Sequence, residues 1–455
     1  MRPSDQKYVI AVGLHVLLGV IIYFFEPLAK VYFLGLLCYC LYRVVYTTND
    51  QRVFEILKAC AIFVGAEVFL RTTKGNISYE AGKYVVIAFC VLGMFYKGIS
   101  GKGYPYFLYI MCMVPSIFVA STTLSFDANF RTNIAFVLSG PVCLGLAALF
   151  TYDKRISQKQ LMEIFYVMLL PIIAHTVYIY LYNPSIKDVL SNTGSNRSAA
   201  GGWGANQVSA VLGLGMFLVA VRFFMKSPTL FLKFFNLGLF GLIGYRALVT
   251  FSRGGVIAAI ITLIAFLVFY YLSINRRKQS ELILMMGLFI GGSALVWTIS
   301  TKLTDGFIEL RYENKDHLGR EKEDLTTGRS ELFMEELEGF IEHPFLGIGS
   351  SRAKDQRIEE EGQGITSHNE VSRTLAEHGI FGIAMLVILL FKPLSIRSQN
   401  KRNVFFFALL AFWFATINHM SMRIAAPAFV YALALLNVTY EKRPLRRQQP
   451  AAIKE

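Results

Sequence analysis

Four short stretches of the chain hold residue types suited to chemistry on an anionic, hydroxyl-rich substrate. Phe251-Ser252-Arg253-Gly254-Gly255 opens an apolar run. An arginine at a helix start sits where free backbone N–H groups and the dipole favour an anion, and its planar donor fork matches phosphate oxygens. The two glycines would let a bulky headgroup approach the backbone. Thr326-Thr327-Gly328-Arg329 repeats the arrangement in a polar stretch. An arginine in a first helical turn runs against the dipole, which points to an anionic partner. Ser367-His368-Asn369-Glu370 offers an imidazole able to take a proton from a hydroxyl. Gly201-Gly202-Trp203-Gly204-Ala205-Asn206-Gln207 combines flexible backbone, an indole and amides, a surface for an anion or a sugar. Each stretch also has a plainer reading: a snorkelling arginine, a solvated loop arginine or histidine, a flexible loop.

The elements that must position these residues follow from composition. The chain has 455 residues, 54% hydrophobic and 17% charged, against about 25% charged in soluble proteins. Too little polar surface is present to cover a water-soluble fold, which excludes a soluble multidomain enzyme, a disordered chain and a fibrous one. An all-α, polytopic transmembrane bundle is expected. The 45 Lys and Arg outnumber the 31 Asp and Glu, giving +14. They lie mostly in short gaps between apolar runs, where they set topology and meet anionic headgroups. No cluster reads as a nucleic-acid patch. The six cysteines all fall inside apolar runs, so neither a disulfide framework nor a zinc site is expected, and Cys38 and Cys40 should face different sides of a helix. No histidine pair has His-x-x-x-His spacing, and neither a metal nor a cofactor is expected.

A membrane helix takes about 20 mostly apolar residues. About fourteen candidates lie near 8–25, 31–46, 53–70, 84–96, 104–123, 134–152, 161–182, 208–225, 229–251, 256–274, 282–299, 378–394, 404–422 and 424–441; twelve would also be believable. The first has no small-residue cleavage site after Phe24-Phe25-Glu26-Pro27 and reads as an uncleaved span. The third carries Glu55, Lys58 and Glu67. Arg276-Arg277-Lys278, Lys401-Arg402 and the tail Lys442-Arg443 to Arg446-Arg447 agree in sidedness only if an even number of spans precedes the tail. With both termini cytoplasmic, four regions result: an N-terminal bundle at 1–299, an outside polar loop at 300–377, two spans at 378–441 and a basic tail at 442–455. In the loop, Thr327 could cap a helix from Gly328 to Glu342 with Leu332, Phe333, Leu337, Phe340 and Ile341 on one face. An acidic, flexible piece from Arg357 to Gly364 and a second helix from near Ser367 should follow.

In this order the pieces resemble the O-antigen ligase / Wzy polymerase family of bacterial inner-membrane glycan transferases. The resemblance rests on Gly204-Ala205-Asn206 before a span, Ser252-Arg253-Gly254 opening a span, and a large outside loop. That loop carries Thr327-Gly328-Arg329-Ser330, His343-Pro344-Phe345-Leu346-Gly347-Ile348-Gly349, Ser367-His368-Asn369-Glu370 and Leu375-Ala376-Glu377-His378-Gly379-Ile380-Phe381-Gly382. It covers roughly 200–390; Phe333 stands where many relatives place a tryptophan. The resemblance implies transfer of a glycan from an undecaprenyl-pyrophosphate carrier to a sugar hydroxyl at the periplasmic face, with membrane lipid as surroundings and no metal. Lipid A–core or a similar glycolipid or glycan would be the acceptor. It implies pyrophosphate-binding roles for Arg253 and Arg329 and a catalytic one for His368. Asn206, Trp203, Arg246 and Asn369 are further substrate-binding candidates; of these Trp203 and Arg246, with Arg423, are candidate acceptor-binding features too generic to separate a ligase from a polymerase. Ligase is favoured over a Wzy-type polymerase joining repeat units. A flippase-like transporter, for which Glu55, Lys58 and Glu67 would be midplane charges, is the third reading.

Overall fold

A computed structural model describes residues 3–183, 185, 193–322, 328–362, 364–400 and 403–440. The apolar runs form helices because a chain in lipid must satisfy its backbone hydrogen bonds internally. In chain order these are α1 Pro3–Phe24, α2 Leu28–Tyr46, α3 Arg52–Thr72, α4 Ala81–Lys97, α5 Tyr104–Met111, α6 Val114–Thr123 and α7 Phe130–Thr151. Strand β1, Arg155–Ser157, then precedes α8 Gln158–Tyr182, α9 Ala205–Lys226, α10 Leu230–Val249, α11 Arg253–Ser273 and α12 Arg276–Leu303. The polar segment holds α13 Phe307–Tyr312, α14 Arg329–Glu342, α15 Arg352–Glu361 and α16 Glu370–His378. The chain ends with α17 Ile380–Gln399, α18 Phe406–Met420, α19 Ala425–Ala434 and β2 Asn437–Thr439, the last paired in parallel with β1.

Each of the fourteen expected spans contains helix, the last only over Ala425–Ala434 before the chain enters β2, and the protein is an all-α polytopic bundle. Ten helical segments are long and apolar enough to cross a membrane. The exceptions have visible causes: α3 carries buried charge, α4 has 17 residues, and α18 and α19 have 15 and 10. The fifth span is two helices, broken at Cys112 and Met113 just before Pro115. The connections alternate between two ends. One end gathers the polar segment, the starts of α9 and α11 and the α18–α19 turn. The other holds Lys154 bonded to the Lys97 and Gly98 carbonyls, Asn400 bonded to Asn437, and the β1–β2 pair. The cysteines of the described chain are free, Cys38 exposed and Cys40 buried, as the helical spacing requires.

The charges on α3 fasten helices together. Lys58 pairs with Glu55 at 2.8 Å, and Arg43 of α2 adds a bond to the same carboxylate at 2.9 Å. Glu67 pairs with Arg71 at 2.6 Å and accepts the Ala425 N–H at 2.6 Å, tying α3 to the start of α19. These groups, which a transporter reading would use, are engaged in structural pairs.

The polar segment is more ordered than its composition suggests. Residues Arg352–Glu361 form α15, so the stretch expected to be flexible is largely helical; Arg352 bridges Asp355 and Glu359 along it. Gly328, with φ of 76°, starts α14 in a left-handed conformation that suits glycine. The expected cap Thr327 lies outside the described residues. The apolar face expected on α14 does not form its seat: Phe333 and Ile341 are exposed, and the buried residue is Glu336. Glu336 accepts from Ser367 at 3.1 Å, Ser372 at 2.6 Å and Arg357 at 3.2 Å, so polar bonds seat α14 on α16. The His343–Gly349 motif is likewise a clamp, with Ile348 N–H on the Ala376 carbonyl and Ile380 N–H on that of Phe345.

Glu67→Ala should leave Arg71 buried without its carboxylate and free the start of α19. Breaking a buried pair in this way costs about 3–5 kcal/mol, so the melting temperature of the detergent-solubilised protein should fall well below that of the parent.

Candidate active site

Helices of 15 and 10 residues are each shorter than the roughly 20 residues that a span requires. The α18–α19 turn is therefore set into the bundle. Ser421, Met422 and Ile424 are buried there, and a Cβ on Gly140 of α7 would lie 2.3 Å from the Met422 carbonyl oxygen. Irregular backbone at such depth is tolerated where protein covers it or it lines a cavity.

His419, one turn before this break, joins two of the sequence-predicted stretches. The Arg329 Nη1 atom lies 3.0 Å from His419 Nδ1, and His419 Nε2 lies 3.1 Å from Ser252 Oγ. Arginine only donates, so His419 Nδ1 must accept and Nε2 must carry the ring proton. That proton goes to Ser252, whose hydroxyl donates to Asn206 Oδ1 at 2.7 Å. One directed chain thus runs from α14 through α18 and the start of α11 to the start of α9. It also explains the glycines differently from the sequence reading. A Cβ on Gly254 would fall 2.1 Å from the His419 ring, and one on Gly255 would fall 2.2 Å from Ser209 Oγ. Both glycines admit neighbouring helices, so the expectation that they make room for a headgroup is corrected.

Arg253, the first residue of α11, places Nη1 3.4 Å from the Arg311 carbonyl oxygen. Arg311 on α13 points back, its Nε donating to the Phe251 carbonyl at 2.9 Å. Burial pushes the Arg311 guanidinium down to about 10, with the like charges of Arg253 and Arg329 adding to it. Arg329 is held low by burial and by Arg253. Three guanidiniums therefore share one region, an arrangement suited to a polyanion.

His368 belongs to the same region. The His368 carbonyl accepts the Ser421 N–H at 3.1 Å, and Arg423 reaches the Ser367 carbonyl at 2.7 Å and that of Thr366 at 3.0 Å. The His368 ring donates to the His419 carbonyl, while its Nδ1 is buried without a partner among the described residues. Burial, then Arg423 and Arg329, push its pKa down to about 3. The imidazole is neutral at physiological pH, with a lone pair on Nδ1.

The other expected residues divide. Asn206 ends the His419 chain. Trp203 donates from Nε1 to Gln207 Oε1 at 3.2 Å, on the same rim. Asn369 caps α16, its Oδ1 accepting from the Val371 and Ser372 N–H groups. Arg246 lies apart from the arginine cluster; it is 1% exposed, stacks 4.1 Å from the Tyr180 ring and donates to the Asn183 carbonyl at 2.7 Å. Arg246 places only Nη2 on the Tyr180 and Asn183 carbonyls, and its buried Nε and Nη1 have no partner among the described residues. His378 is buried at the end of α16, and His343 and His317 are exposed. Sequence reasoning missed His419 and Arg311. His419 had a signal, an ionisable residue inside an apolar run; Arg311 sits in a polar stretch and had none. Among the described residues no three His, Cys, Asp or Glu side chains group to hold a metal.

Residues 238–387 match the family model described as O-antigen ligase. This part of the chain is similar to that family. The matched region is about a third of the chain and contains Arg253, Arg311, Arg329 and His368, whereas Trp203, Asn206 and His419 lie outside it. No curated protein matches the chain. The structure thus adds to the matched region the residues that its flanking helices contribute.

Gly254→Ala should force the His419 ring off Ser252 and Arg329. Misplacing a positioned group by about 1 Å costs on the order of 10²-fold in rate, so the activity of the protein in membranes should fall by about that factor with normal protein levels. Full activity would show that the His419 chain is dispensable.

Proposed function

We propose that the protein moves a glycan from undecaprenyl pyrophosphate to a hydroxyl of an acceptor sugar, as an O-antigen ligase. The supporting observation is the convergence of Arg253, Arg311, Arg329 and a neutral, half-satisfied His368 around one buried turn. An apolar groove of about 520 Å³ adds to it. The groove runs between α10, α11 and α12, lined by Phe240, Val256, Ile260, Phe289 and Trp297, and ends at Tyr312 beside Arg311. A polyprenyl tail in the groove would bring its diphosphate to the arginines.

The chemistry is one displacement. The acceptor oxygen attacks the anomeric carbon, the bond from that carbon to the pyrophosphate oxygen breaks, and the pyrophosphate departs with the electron pair. Arg253, Arg329 and Arg311 stabilise the charge that gathers on the leaving oxygens. His368 Nδ1 takes the hydroxyl proton. A single displacement inverts the anomeric configuration. A base with a pKa near 3 is weak, and two of the causes are the positive charges of Arg423 and Arg329. A bound diphosphate offsets these charges and raises the basicity of His368 when the donor is in place.

The active end is assigned to the periplasm and both termini to the cytoplasm of a bacterial inner membrane. Arg276, Arg277 and Lys278 start α12 at the end opposite Arg253, as the positive-inside rule requires. Lys401, Arg402 and the basic tail lie outside the described residues. A ligase and a polymerase would share this geometry and differ in the acceptor.

Arg253→Ala or Arg329→Ala should abolish transfer with the protein still folded in the membrane, and lysine should restore only part because it lacks the planar fork. His368→Ala should remove turnover but retain donor binding. In cells lacking the protein, a gel should show long carrier-linked chains and an unmodified core; a core bearing one repeat would indicate a polymerase instead. Because donor binding raises the His368 pKa, the acid limb of kcat should lie at higher pH than that of kcat/KM, which reports the free protein. Coincident limbs would contradict His368 as the base.

A further inference from the structure

Beside the arginine cluster lies a second group that the displacement does not use. Tyr79, in the connection between α3 and α4, stands between two other rings. Its centroid is 6.1 Å from that of Phe136 on α7 and 6.1 Å from that of Trp203 before α9, with interplanar angles of 38° and 34°. Tyr79 is 39% exposed, and Phe136 and Trp203 are partly exposed. The row is locked from behind. Gln207 donates from Nε2 to the Tyr79 hydroxyl at 3.0 Å and accepts from Trp203 Nε1 at 3.2 Å. The Arg71 guanidinium lies 4.3 Å from the Tyr79 ring centroid and donates to Gln207 Oε1 at 2.9 Å. Lys354 of α15 lies 5.5 Å from the Phe136 ring centroid.

We propose that this row is the subsite for the acceptor saccharide, an inference that rests on the glycan-transfer reading above. A sugar ring presents a C–H face that packs on an aromatic face and a rim of hydroxyls that seek donors and acceptors. Three rings with an amide, a phenol and cations at their edges offer both. Rings used only for packing would be buried, whereas these stay accessible and are fixed in place by buried polar groups, the pattern of rigid recognition anchors with little entropy left to lose. The row also lies on the proton-accepting side of the site. Arg71 Nη1 donates to the Arg423 carbonyl at 3.0 Å, and the Arg423 side chain holds the Ser367 carbonyl next to His368. A saccharide on the rings therefore reaches the base, while the donor diphosphate belongs to the arginines beyond Asn206. Adjacent residues of α9 serve the two halves, Asn206 facing Ser252 and Gln207 facing the rings.

The test is steady-state transfer by the full-length protein in nanodiscs. The carrier-lipid fraction of cells lacking this chain serves as donor, and the glycolipid fraction of the same cells as acceptor. Trp203→Ala should raise the acceptor KM by about tenfold, the scale of one lost aromatic contact, and leave the donor KM within about twofold. Trp203→Phe, which retains a ring, should recover most of the loss, and Tyr79→Ala should behave like Trp203→Ala. An unchanged acceptor KM in an active Trp203→Ala protein, or a donor KM that rises as much as the acceptor KM, overturns the subsite and leaves the transfer reading standing. Wild-type protein inactive with both fractions overturns the transfer reading, and the subsite with it.

Discussion

The structure depends on what is hydrogen-bonded to the α18–α19 turn. A hairpin too short to cross the membrane leaves polar backbone and side chains at depth, and every one of them needs a partner. His419 takes Arg329 on one ring nitrogen and Ser252 on the other, and its carbonyl meets the His368 ring. Ser421 and Arg423 bind the backbone of the stretch holding His368, and the Arg423 carbonyl and Ala425 N–H are met by Arg71 and Glu67 of α3. Satisfying the turn brings together residues from α3, α9, α11, α14 and the approach to α16. The grouping of these residues follows from solving a solvation problem.

That origin explains how the charges coexist. Burial depresses the basicity of Arg311 and Arg329, and the repulsion among arginines sharing one region adds to it. Arg253 and Arg311 reach backbone carbonyls, and Arg329 reaches the His419 imidazole. Burial, with Arg423 and Arg329 adding to it, keeps the His368 imidazole neutral.

Much of this was legible in the sequence. Apolar length located the membrane-embedded helices, because lipid imposes one solution on the backbone. Arg253, Arg329 and His368 were found from their positions at helix starts or loop ends, and the structure brings them around one turn. The helix at Arg352–Glu361 was missed because its support is ionic, from Arg352 to Asp355 and Glu359, and leaves no apolar period. Seating of α14 by Glu336 was missed for the same reason: buried polar contacts have no signature in hydropathy. The setting of Arg246 was not legible, because the carbonyls of Tyr180 and Asn183 that hold its Nη2 come from a distant part of the chain. The glycines of the Ser-Arg-Gly stretch were correctly marked as sites of close approach, but the neighbours that approach are His419 and Ser209.

The central claim is that the arginines around this turn receive the diphosphate of the carrier lipid. A cryo-electron microscopy map of the protein in nanodiscs with undecaprenyl pyrophosphate tests it most directly. The account predicts diphosphate density within hydrogen-bond reach of Arg253 and Arg329, with Arg329 still against His419 and the lipid tail between α11 and α12. Diphosphate density at the opposite end of the bundle, or Arg253 and Arg329 on separate sides of the chain, would contradict it.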